Sequence, residues 1–166
     1  MNYSMSIGIY NEFDIVQNKV LGFHGLYEFL KEFTESNKGI GPKIHYLFPV
    51  LPILFNEESA AVIYSKNLKP GSFIKVLSEK SDIFSTLQIK MQDQSVHTLH
   101  CINLGIKCGL IGYDPESTRV FIQAKKNPGI QLSADYQKIL FAAKRLGAWF
   151  AKMSEEEILI YLNIRF

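Results

Sequence analysis

Little in this chain fixes a function outright. There are only two cysteines in 166 residues, Cys101 and Cys108. They fall seven positions apart in one apolar-periodic segment, which on a helix is about 10 Å along the axis and too far for a disulfide. Neither sign of charge is in excess. Eighteen Lys and Arg stand against 16 Asp and Glu, a net +2, which lacks the strongly basic balance of an autonomous nucleic-acid binder. No apolar run approaches the roughly 18 residues of a membrane-spanning helix. The most lipophilic stretch, Ile44 to Phe55, contains Pro49 and Pro52 and reads as a bent, buried segment. Met1 to Gly8 has neither a basic n-region nor a sustained apolar h-region, so a cytoplasmic location and no membrane partner are expected. Internal repeats and low-complexity tracts are absent from the sequence.

What the chain does have is apolar bulk. Hydrophobic residues make up 47% and aromatics 13%, with twelve Phe and eight Tyr, which excludes disorder over most of the length. Its size fits one self-sufficient domain, residues 1–166.

The stretch Asn11-Glu12-Phe13-Asp14-Ile15-Val16-Gln17-Asn18 carries three good helix caps, so a first helix can start at Asn11, Asp14 or Asn18. It runs to about Glu35, and Val16, Val20, Phe23, Tyr27 and Leu30 line one face. The apolar Phe13 and Ile15 among those caps have two readings, a hydrophobic staple or a docking surface. Ser36 to Pro42 is a loop of breakers, and Lys43 to Phe55 belongs in the core whatever its local form. Glu57 to Tyr64 and Ser72 to Glu79 read as short helices joined by Leu68-Lys69-Pro70-Gly71. A cap at Ser81 or Asp82 opens a helical stretch carrying Ile83, Leu87, Met91, Val96, Leu99, Ile102 and Ile106. It is interrupted near Gln92 to Ser95 and stopped by Gly105 or Gly109. Leu110 to Tyr113 and Arg119 to Gln123, flanking Asp114-Pro115-Glu116-Ser117, predict a β-hairpin. Ser133 caps a long helix with Tyr136, Ile139, Leu140, Ala143, Leu146, Phe150 and Met153 on one face. Ser154 and three acids open a last helix. Asn163 to Phe166 pairs as a strand or docks as a tail.

The expected fold class is therefore mostly α (α+β). A winged helix-turn-helix-like core with one β-hairpin wing covers about 57–125. An N-terminal helix within 12–36 and two C-terminal helices within 133–162 flank it.

No constellation for catalysis emerges. His97, His100 and Cys101 share a helix surface at spacings of three and four, with Cys108 two turns on, but the pattern matches no common zinc site and core packing is favoured. His24 and His45 read as structural. Gly39-Ile40-Gly41-Pro42-Lys43 loses an amide to Pro42 that a phosphate cradle would use. Glu155 to Glu157 are explained by a helix start. No catalytic residue, metal or cofactor is expected. Arg119, Lys125 and Lys126 at the wing, with Lys138, Lys144 and Arg145 on the long helix, are candidates for weak contact with DNA backbone. The segment Ile83 to Leu99 holds no arginine for base reading, so a protein-facing wing is favoured over a DNA-facing one.

Three stretches carry a family resemblance. The Asn11–Asn18 segment with Leu21-Gly22, the run Leu47-Phe48-Pro49-Val50-Leu51-Pro52-Ile53-Leu54-Phe55, and Arg145-Leu146-Gly147-Ala148-Trp149-Phe150-Ala151 followed by Glu157-Ile158 together resemble the middle component of three-component ABC systems. Lamassu-type defence operons are the best-known example. The resemblance implies a non-catalytic adaptor subunit beside an SMC-like or Rad50-like ATPase and an effector, often a nuclease, acting against phage or plasmids. A partner interface is expected on Asn11, Glu12, Phe13, Asp14, Ile15, Gln17 and Asn18, and on one of Trp149 and Phe150, with core packing the alternative for both rings. The alternative function is a DNA-contacting winged-helix protein or regulator, and an enzyme would need a metal at His97, His100 and Cys101.

Overall fold

In the computed structural model, residues 18–69, 71–124 and 133–166 are described. Helix α1 (Lys19–Ser36) starts at the last of the three candidate caps, where the Asn18 side chain accepts the Leu21 N–H at 3.0 Å. A 3-10 turn (Ile44–Leu47) and α2 (Val50–Leu54) form the bent core segment. Next come α3 (Glu57–Ser65) and α4 (Ser72–Glu79). The following stretch breaks twice, at Thr86 and at Gln94, into α5 (Ser81–Ser85), α6 (Leu87–Asp93) and α7 (Ser95–Lys107). Strands β1 (Ile111–Asp114) and β2 (Arg119–Ile122) pair antiparallel with Ile111 opposite Ile122 and Asp114 opposite Arg119. Helices α8 (Ala134–Phe150) and α9 (Glu155–Leu162) complete a mostly α protein with one small hairpin.

The centre of the molecule is the α1–α8 pair. Helix α1 buries Leu21, Phe23, Leu26, Tyr27, Phe29, Leu30 and Phe33, too wide an arc for a surface helix. It therefore has neighbours on several sides: α8, α7, α2 and β2. Val20, expected on its buried stripe, is 48% exposed, while Leu21 and Gly22 beside it are buried. Close approach to α8 depends on Gly147, where a Cβ would stand 2.4 Å from the Phe29 carbonyl oxygen and 3.0 Å from the Phe33 nitrogen. Phe29 and Phe150 then meet edge to face at 5.5 Å.

Helix α3 packs on α8, and α7 on α1 and β1, so the hairpin and the short helices before it share one core with the flanking helices. Helix α7 is rotated from the expected face. Thr98, Cys101, Ile102 and Gly105 are buried, while Val96, Leu99 and Ile106 point outward. The cause is again close packing through small residues. A Cβ on Gly22 would lie 2.7 Å from Cys101 Sγ, and one on Gly105 would lie 2.2 Å from the Phe23 ring. Gly105 therefore sits inside the helix, and Gly109, with φ +68°, follows its end.

The hairpin turn is held by Asp114, whose carboxylate accepts from the backbone of Glu116 and Ser117 and from the Ser117 hydroxyl. Segment 41–44 runs beside β2, with Val120 N donating to Pro42 O at 3.0 Å and Ile44 N to Thr118 O at 2.8 Å. Helix α9 carries the capping box of Ser154 and Glu157. The C-terminal residues dock as a tail. Ile164 is buried, Arg165 N donates to Gln88 Oε1 at 2.7 Å, and Phe166 lies against His45 and Tyr46.

Among the described residues no single helix is long and apolar enough to cross a membrane, and Ile44–Leu54 meets α3 at a bend of 100°.

Candidate partner-binding surface

Several residues singled out from the sequence serve the fold. Asn18 is the α1 cap. Trp149 and Phe150, one of which was expected to meet a partner, are both interior at 5% and 0% exposure, packed on Phe73 at 5.3 and 5.8 Å. They are drawn inward because α8 is a central helix whose last turns are buried on every side. Arg119 is partly buried and its Nη1 donates to the Gly41 carbonyl at 2.6 Å, so the guanidinium ties the hairpin to the 41–44 segment. Lys138 and Lys144 pair with Asp135 and Glu28, and Arg145 Nε donates to Lys66 O at 2.6 Å. Asn11, Glu12, Phe13, Asp14, Ile15, Gln17, Lys125 and Lys126 lie outside the described residues.

Of the candidate metal ligands, Cys101 and His97 are similarly occupied, while His100 and Cys108 are exposed. Cys101 is fully buried beneath Gly22, and burial pushes its thiol up to about 12, so it stays protonated at neutral pH. The His97 ring stands 3.7 Å from Cys101 Sγ, and burial, then the Lys19 charge, holds its pKa below the ordinary value. Among the described residues no three of His, Cys, Asp and Glu converge on a point where a metal ion could sit. His45 pairs with Glu155 at 3.1 Å, and Lys43 reaches the same carboxylate at 3.3 Å. Burial lowers the His45 pKa and Glu155 opposes it. Beside this pair is a cavity of about 340 Å³ whose walls include Phe48, Met91 and Phe166.

The surface feature that sequence reasoning missed is the outer side of α7. Val96 is 61% exposed, Leu99 45% and Ile106 40%. Leu99 and Ile106 are seven residues apart and align along the axis, as do His100 and Lys107 beside them. Lys19, whose charge acts on His97 and Cys101, lies on the His100 side. Helix α7 contains no Asp or Glu. An exposed apolar line with Lys107 and Lys19 along one edge and no carboxylate of its own is thus presented beside the hairpin. The signal was legible in principle, since Thr98, Cys101 and Gly105 form a small-residue line opposite the bulky one.

The fold and this face define a mostly helical scaffold with an outward apolar helix edge, and comparison with known proteins narrows the class. A family model for the ABC-three component (ABC-3C) system Middle Component 3 matches residues 8–166, and the chain belongs to that family. No curated protein and no solved structure matches it. Leu21-Gly22 and Arg145-Leu146-Gly147, two of the stretches that carried the resemblance, fall where α1 meets α7 and where α8 meets α1 and α3.

Proposed function

We propose that this chain is a non-catalytic adaptor that bridges an SMC-like or Rad50-like ABC ATPase and an effector, in the manner of Lamassu-type defence against phage or plasmids. The observation that carries this reading is the outward face of α7. Val96, Leu99 and Ile106 stay exposed along one side of a single helix, and a family of middle components supplies a reason for such a face. The engaged state of Arg119, Cys101 and the α8 cations agrees with a scaffold whose polar groups hold its own shape.

Co-expression with the other two components, followed by size-exclusion chromatography, tests the reading. A three-part complex is expected, and a chain that elutes alone in their presence overturns it. Turnover of a nucleotide or nucleic acid by the purified chain alone would equally reject the non-catalytic role.

A second reading has one observation in its favour: α7 directly precedes the hairpin, as a recognition helix precedes its wing. Against it, the α7 face is apolar at its centre and has no arginine. Duplex binding by the isolated chain that weakens with salt would favour this reading.

A further inference from the structure

The spacing along the α7 face is more specific than a general apolar patch. Val96, Leu99, Asn103 and Ile106 succeed one another at intervals of three, four and three, the repeat of the a and d positions of a heptad. Val96 and Asn103 then stand at a, Leu99 and Ile106 at d, and His100 and Lys107 both fall at e, the flanking position that meets a partner's charges. Three features of a helix-pairing seam coincide: a β-branched residue at a, leucine at d, and a single asparagine at a to fix register. All four seam residues are exposed, so the described residues leave the seam open.

We propose that α7 receives one amphipathic helix from another component of the system, packed along this seam and acidic on the flank facing His100 and Lys107. The proposal rests on the adaptor reading above. Helix α7 is about 20 Å long, which accommodates roughly three turns of a partner helix presenting apolar residues at three- and four-residue spacing. An acidic flank on the partner complements this edge, because Lys107 and the nearby Lys19 border one side and α7 contributes no carboxylate. A second copy of α7 would likewise bring none. Duplex DNA offers charge for Lys107 but nothing for Val96, Leu99 and Ile106.

The test uses the assembled complex, with binding of this chain to the other two components measured by titration. Leu99→Asp is expected to abolish binding. His100→Glu with Lys107→Glu is expected to weaken it by about ten-fold or more, since reversed charges across an interface repel. Asn103→Leu is expected to hold or raise affinity while adding self-association. The substituted side chains are exposed, and unchanged thermal midpoints confirm folding. A wild-type complex whose affinity ignores both Leu99→Asp and the charge reversal overturns the seam while the adaptor reading stands, and absence of any complex overturns both. Self-association of the wild-type chain lost in Leu99→Asp would make a second copy the occupant. Duplex binding lost in the charge reversal would make it DNA, and either result rejects the acidic helix.

Discussion

Replacing Gly147 with alanine probes the contact on which the core is built. The added methyl would stand 2.4 Å from the Phe29 carbonyl oxygen, 3.0 Å from the Phe33 nitrogen and 3.2 Å from Glu32 Cβ. The first two are backbone atoms of α1, which cannot swing aside as a side chain can. The helices must therefore separate, which loosens the Phe29–Phe150 contact and the burial of Leu146 and Phe33 around it. Overpacking of this kind costs about 1–3 kcal/mol, and backbone contact at a central helix pair puts it at the upper end. Alanine returns about 1 kcal/mol of helix propensity over glycine. The net loss is about 2 kcal/mol, or roughly 4–8 °C in Tm for a domain of this size. Gly25→Ala is the control. Its Cβ would meet only side-chain tips, of Leu54 at 3.2 Å and Leu51 at 3.8 Å, so propensity prevails and stability is expected to hold or rise by up to about 1 kcal/mol. Urea and thermal unfolding followed by circular dichroism measure both variants. A Gly147→Ala protein as stable as the parent, or less affected than Gly25→Ala, would refute the reasoning.

Three further outcomes follow from the same structure. Arg119→Ala removes the 2.6 Å bond to the Gly41 carbonyl and is expected to lower stability by about 1–2 kcal/mol; full stability with a lost affinity for duplex DNA would instead place Arg119 at a nucleic-acid contact. Trp149, the only tryptophan, is expected to emit in the blue, to resist quenching by acrylamide and to change little on complex formation, because it is buried against Phe73; a red-shifted, readily quenched native spectrum would contradict its burial. Burial holds His24, His45 and His97 below their ordinary 6.5, so as pH falls the unfolded chain takes up protons first. Their contribution is complete above about pH 6.5 and is lost as pH falls below it. The urea midpoint should therefore drop on acidification across that range and drop less in His97→Gln, and a midpoint that rises would reverse the assignment.

Elements governed by local chemistry were readable from the chain. The Ser154 cap with its acids, the Asn18 cap, the breaker-rich loop after Ser36 and the Asp114 turn each depend on groups within a few residues of one another. The apolar run from Leu47 to Phe55 could only be buried, and among its residues Leu47, Val50, Leu51, Pro52, Ile53, Leu54 and Phe55 are. The facing of α7 was not readable that way. Its bulky and small residues lie on opposite sides, and periodicity favours burying the bulky side. Contacts with Gly22 and Phe23, more than seventy residues earlier, turned the small side inward.

The sequence by itself determined most of the segments that become helices, the Ser154 cap and that the chain pairs one short hairpin, because these follow from backbone preference and near-neighbour hydrogen bonds. Tertiary structure alone decided that Trp149 and Phe150 turn inward, that Arg119 fastens the hairpin to Gly41 and that Val96, Leu99 and Ile106 face solvent. Those outcomes depend on how closely distant helices approach, a distance set at Gly22, Gly105 and Gly147, where the missing side chains let the packing close.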